Sequence, residues 1–158
     1  MKGPSIVVKT VARWVVAFIF LYGLYIVAFG HLTPGGGFAG GVILASAFVL
    51  EVLAWGKESA LAGFPFRIAK RFDSAGALLF LGLAMLGLLF ANSFFANVIQ
   101  KAEPGQPLRL FNGGIIPLSN IAIALKVCAS LFLVMVVLSA LRVVAGGSEA
   151  DLRCEEEE

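Results

Sequence analysis

Four long apolar runs organise the chain: Val11 to Phe29, Gly36 to Trp55, Ser74 to Phe95, and roughly Ile121 to Leu141 with Ile115 as an alternative start. Each supplies about 20 residues, enough at ~1.5 Å per residue to cross ~30 Å of hydrocarbon. Because lipid offers the backbone no hydrogen-bond partners, these runs are expected to be helices. Only Gly30-His31-Leu32-Thr33-Pro34-Gly35 separates the first two, a Pro/Gly turn that predicts a tight antiparallel hairpin. The segment Lys57 to Asp73 mixes Phe64, Phe66, Ile68 and Phe72 with Arg67, Lys70 and Arg71, which reads as a connector lying on a membrane surface. Lys101 to Asn112 reads as a polar loop rich in Pro and Gly.

The pattern predicts an all-α membrane protein with four transmembrane helices in a domain over 1–145, followed by an acidic tail over 146–158. Composition agrees: 59% of the 158 residues are hydrophobic and 14% charged, and mean hydropathy is +0.95, so water is not the main solvent. The first run follows Lys2, Lys9 and Arg13 as a signal peptide would, but it continues to Phe29 without a clean small-x-small cleavage site, so a retained span is expected.

Lysine and arginine are unevenly shared between the two sides. Lys2, Lys9, Arg13, Lys57, Arg67, Lys70, Arg71, Arg142 and Arg153 fall on one side, and only Lys101 and Arg109 on the other. Positively charged flanks stay in the cytoplasm, which places both termini there and the glycine-rich hairpin outside. A formal charge of only +2, with no basic stripe, gives no electrostatic footprint for nucleic acid. Cys128 sits in an apolar run and Cys154 in the tail, without a CxxC or a nearby histidine, so neither a disulfide framework nor a zinc site is expected. No nucleophile–base pair, nucleotide motif or ligand set for a cofactor or metal stands out, and no catalytic centre is expected in this chain.

The segment from Gly30 to Gly41 is the most distinctive. Pro34 can open a helix, and Gly36/Gly40 and Gly37/Gly41 form overlapping small-xxx-small pairs that let another helix approach closely. A phosphate loop would need a Lys-Ser/Thr after the glycines, which is absent. Three titratable residues are candidates for an ion path. Lys126 is the basic side chain deep in an apolar run, where it either snorkels to an interface or meets a partner or a hydrated passage. Glu51 is the matching acid of the second span, near its cytoplasmic end, and could miss Lys126 in depth. His31, in the hairpin turn, could titrate near neutral pH at a proton entrance or simply sit at the interface. Asn92, Asn97, Asn112 and Asn120 gather at the outer ends of the third and fourth spans, as helix caps or as oxygen donors to a hard cation.

The run His31 through Pro34-Gly35-Gly36-Gly37-Phe38 to Gly40-Gly41 resembles the signature of the MnhB/MrpB subunit of multisubunit cation/proton antiporters. The short first hairpin, the number of spans and the later Gly113-Gly114-Ile115-Ile116-Pro117-Leu118 stretch agree, so the resemblance covers roughly residues 8 to 145. It implies an accessory subunit of a Na+/proton antiporter, or of the antiporter-like modules in archaeal membrane-bound hydrogenase and sulfur-reducing complexes. Its partners would be other membrane subunits and the bilayer, and its transported ions Na+ and H+. The resemblance leaves two roles open: a share in an ion path, or a purely structural part in assembly.

Overall fold

The computed structural model describes residues 4–97, 99 and 113–156, and among these the regular structure is entirely helical. The anticipated loop of residues 101–112, with Asn112, lies outside the described residues. Helix α1, Ile6–Ala28, begins earlier than the apolar run because Ser5 caps it, its hydroxyl accepting from the Val8 N–H at 3.4 Å. The chain then turns on the Phe29 carbonyl, which accepts from the N–H groups of Leu32 (2.9 Å) and Thr33 (3.1 Å) and from the Thr33 hydroxyl (3.1 Å). Gly35 and Gly36 come next at φ 95° and 51°, a left-handed conformation that residues with a Cβ avoid. Helix α2 runs over Gly36–Trp55 and ends at Gly56, again at positive φ.

The expected surface connector is only partly present. Lys57–Gly63 forms a separate short helix, α3, but Pro65 caps a new helix α4 over Phe66–Ala91, so the third span starts well before Ser74. The reason is packing: Ala69, on what looked like an interfacial stretch, is fully buried in a cluster with Val52, Ala60, Phe132 and Val136. Asn92, at φ 51°, terminates α4 as a left-handed C-cap, a few residues short of Phe95. Helix α5, Ile116–Glu156, continues unbroken through the anticipated boundary with the acidic tail. At 41 residues it is ~60 Å long, far beyond the ~30 Å of a hydrocarbon core. Among the described residues, four helices are long and apolar enough to cross a membrane: Ile6–Ala28, Gly36–Trp55, Phe66–Ala91 and Ile116–Ser139.

Helix α5 is the centre of the arrangement. It packs against α2 on one side and α4 on the other, and α1 lies mainly on α2 with a smaller contact to α5. Aromatic rings lock the end near α3, where Phe48, Phe64 and Phe132 stand with centroids 5.3 to 5.6 Å apart. The outer faces of α1 and α4 are apolar and uncovered, with Trp14, Phe18 and Leu21 on one and Leu78, Leu89 and Phe90 on the other largely exposed. In a bilayer such faces meet lipid tails or neighbouring subunits.

Candidate functional site

The antiparallel contact between α4 and α5 is made possible by one glycine. A Cβ on Gly76 would lie 2.8 Å from the Ala122 carbonyl oxygen and 2.8 Å from the Lys126 nitrogen, so only glycine lets the backbones approach this closely. One turn from Gly76 towards the start of α4 stands Asp73. Its Oδ1 accepts from Lys126 Nζ at 2.8 Å and also from the Ser130 hydroxyl, one turn along α5. Lys126 thus has a carboxylate partner, but Asp73 supplies it and Glu51 does not. Measured from Ile116, Lys126 is ~15 Å along α5, near the middle of its apolar stretch Ile116–Ser139.

This polar group is not sealed inside the chain. The Lys126 and Asp73 side chains remain 46% and 29% exposed, and Lys126 lines a groove of ≈330 Å³ with Gly76, Ala77, Phe80, Ala122 and Ile123. Sequence reasoning missed Asp73 because it fell at the end of the supposed connector. Its signal was there, in an acid immediately preceding an apolar run and three residues from a glycine on the same helical face.

The glycine run builds a second polar centre. Asn120 of α5 is 8% exposed, and its Oδ1 accepts from the Gly37 N–H at 3.2 Å, capping the start of α2 from a different helix. A Cβ on Gly37 would lie 2.2 Å from the Asn120 carbonyl oxygen, and one on Gly41 would lie 2.9 Å from that of Ala124, so these two glycines face α5. Gly40 faces α1, where its Cβ would lie 2.5 Å from Val27, and Gly36 lies against the Asn120 amide. All four contacts are made within this chain. His31 is half-buried beside the turn leading into α5, at Gly113. Asn97 ties that turn together, donating to the Gly113 carbonyl and accepting from the Ile115 N–H, both at 3.1 Å.

Glu51 lies elsewhere. It lines a cleft of ≈290 Å³ with Arg13, Val16, Trp55 and Ser59, at the end where α1 begins and α2 finishes. Lys126, Glu51 and His31 therefore mark three separate places. Among the described residues no group of three His, Cys, Asp or Glu side chains could hold a metal ion, and Cys128 is a partly buried free thiol.

Among the described residues, four apolar helices, a polar pair within the spans and broad uncovered apolar faces define a multi-pass membrane protein. The chain belongs to the MnhB family: residues 7–133 match the domain related to the MnhB subunit of the Na+/H+ antiporter. It is 38% identical over 99 residues to a Staphylococcus aureus protein assigned as antiporter subunit mnhB2, covering 61% of this chain and 68% of that one. An uncharacterised protein of Methanocaldococcus jannaschii is 36% identical over 126 residues, 77% of this chain and 47% of that one. Among solved structures, a chain of the membrane-bound sulfane sulfur reductase, an archaeal respiratory membrane complex, superposes with a TM-score of 0.72 at 33% identity, over 89% of this chain and 59% of that one. The chain thus spans about half to three-fifths of the length of these two archaeal relatives.

Proposed function

We propose that this chain is an accessory subunit of a multisubunit Na+/proton antiporter, or of a redox-driven ion-pumping complex such as a hydrogenase-like or sulfur-reducing one that carries such a module. In this reading Lys126, Asp73 and Ser130 form part of a proton path shared with a neighbouring subunit. Both termini and the acidic tail face the cytoplasm, as the distribution of Lys and Arg implies. The observation that carries the reading is the exposure of a Lys–Asp pair at the rim of the chain, at mid-span depth. A charged pair facing lipid is expensive, so a neighbour or a file of water has to cover it. The lysine can exchange its proton with such water, and Asp73 and Ser130 hold it in place.

The competing role is structural, and the broad apolar faces of α1 and α4 favour it. Exchange assays in vesicles, run alongside subunit stoichiometry, separate the two. Lys126→Ala is expected to lower Na+/proton exchange with stoichiometry unchanged, and Lys126→Arg to restore it only in part, since a guanidinium does not readily give up a proton. Full exchange by Lys126→Ala, or loss of the complex itself, would replace the path with the structural role.

A further inference from the structure

We propose that the cleft of Arg13 and Glu51 binds the headgroup of a phospholipid carrying a phosphate and a primary amine, with one of its chains running along the same face of α1 and α2. This inference is independent of the role of Lys126.

The cleft, ≈290 Å³, is near the lower end of ligand-sized sites and admits a headgroup. Across it stand a guanidinium from α1 and a carboxylate from α2, and among the described residues neither makes a salt bridge. Both lie within the outer turns of apolar helices: Arg13 is ~10 Å from the start of α1 and Glu51 ~6 Å from the end of α2. Near the ends of apolar helices two such charges of opposite sign suit the headgroup level, and one zwitterion meets both, its phosphate on Arg13 and its ammonium on Glu51. Trp55 and Ser59 line the same cleft, the tryptophan being the residue type that settles at the headgroup level.

A second observation is the apolar surface that continues from the cleft along the helices. Arg13, Val16, Phe20 and Leu24 recur at spacings of three and four, which places them on one face of α1, and Leu44, Phe48, Glu51 and Trp55 do the same on α2. Phe20, Leu24, Leu44 and Phe48 line an apolar groove of ≈310 Å³ that also reaches α5. A polar cleft of both charges thus stands one helical turn from an apolar groove on a common face, the order in which a phospholipid presents headgroup and chain. A soluble amine-phosphate would use the cleft alone, and an anionic lipid would use Arg13 without Glu51.

The test is native mass spectrometry of the delipidated complex, titrated with phosphatidylethanolamine, phosphatidylglycerol, phosphatidylcholine and soluble phosphoethanolamine. Phosphatidylethanolamine adducts on this subunit are expected to exceed those of the other three. Arg13→Gln and Glu51→Gln should each reduce them about tenfold, the effect of losing one charge-assisted hydrogen bond. Val16→Trp, which fills the cleft without altering charge, should do the same. Phosphatidylglycerol binding as well as phosphatidylethanolamine, Glu51→Gln without effect, equal retention of the soluble compound, or no adduct on the wild type would each overturn the proposal. Every substituted residue is exposed or half-exposed, so these variants are expected to fold.

Discussion

Gly37 offers the most direct test of how the chain is held together. An added Cβ there would stand 2.2 Å from the carbonyl oxygen of Asn120, 2.6 Å from its Cα and 2.8 Å from its carbonyl carbon. All three are backbone atoms, which no rotamer change can move. Comfortable contact begins near 3.5 Å, so Gly37→Ala requires α2 and α5 to part by about 1.3 Å. Overpacking of this kind costs about 1–3 kcal/mol, and the parting stretches the Gly37 N–H bond to Asn120, worth about 1 kcal/mol. Alanine returns about 1 kcal/mol of helix propensity, leaving a net loss of about 1–3 kcal/mol. Gly82→Ala is the internal control, because nothing lies within 4 Å of its Cβ and it sits within α4, so it should be neutral or slightly stabilising. Thermal unfolding in detergent should therefore move in opposite directions for the two variants, or fall for Gly37→Ala alone. A Gly37→Ala chain as stable as wild type would mean that α2 and α5 do not meet this closely.

The two polar centres and the topology give further outcomes. Asn120→Ala should destabilise the chain by about 1–2 kcal/mol, because it leaves the Gly37 N–H unpaired in a buried place; Asn120→Asp, which keeps the acceptor, should cost less in the same unfolding assay. Asp73→Asn should destabilise by leaving Lys126 without its counter-charge, and Asp73→Asn combined with Lys126→Met should recover most of the loss; additive effects in this cycle would show that the pair is not formed. A reporter fused after Arg142 should be cytoplasmic and one inserted at Gln106 external, and the reverse labelling would invert the assignment of sides.

The spans were legible because lipid allows few alternatives: runs of about 20 apolar residues bounded by Pro/Gly turns can hardly be anything else. The start of α4 was not, because Arg67, Lys70 and Arg71 next to Phe66 and Phe72 have the composition of an interfacial helix, and only the burial of Ala69 against Phe132 shows why they continue into the same helix as the span. The same misplacement hid Asp73 and left Lys126 without a carboxylate partner inside the chain, since Glu51 could miss it in depth. The glycine run was readable as a site of close approach, but not which helix each glycine meets. Spacing of four puts Gly37 and Gly41 on one face, yet the choice between α1 and α5 depends on tertiary packing. Asn120 reads as a cap by its residue type, but capping a helix 83 positions away in sequence leaves no local signature.

The placement of the Lys126–Asp73 pair bears on the choice between path and scaffold. If its purpose were to hold α4 on α5, apolar side chains would serve equally well, since replacing an ion pair by packed apolar groups is often neutral or stabilising. That contact already has Gly76 against the α5 backbone and Ala69 against Phe132, without any charge. A purely structural pair would also do best facing inward, where its geometry is fixed and no neighbour is needed. Instead it stands at the edge of a groove open to the side, with the lysine half-exposed near mid-span. This position costs energy in an isolated chain and becomes tolerable when another subunit closes the groove. On the reading proposed above, the completed site would include water or polar atoms from that neighbour beside Lys126, as a shared proton path requires.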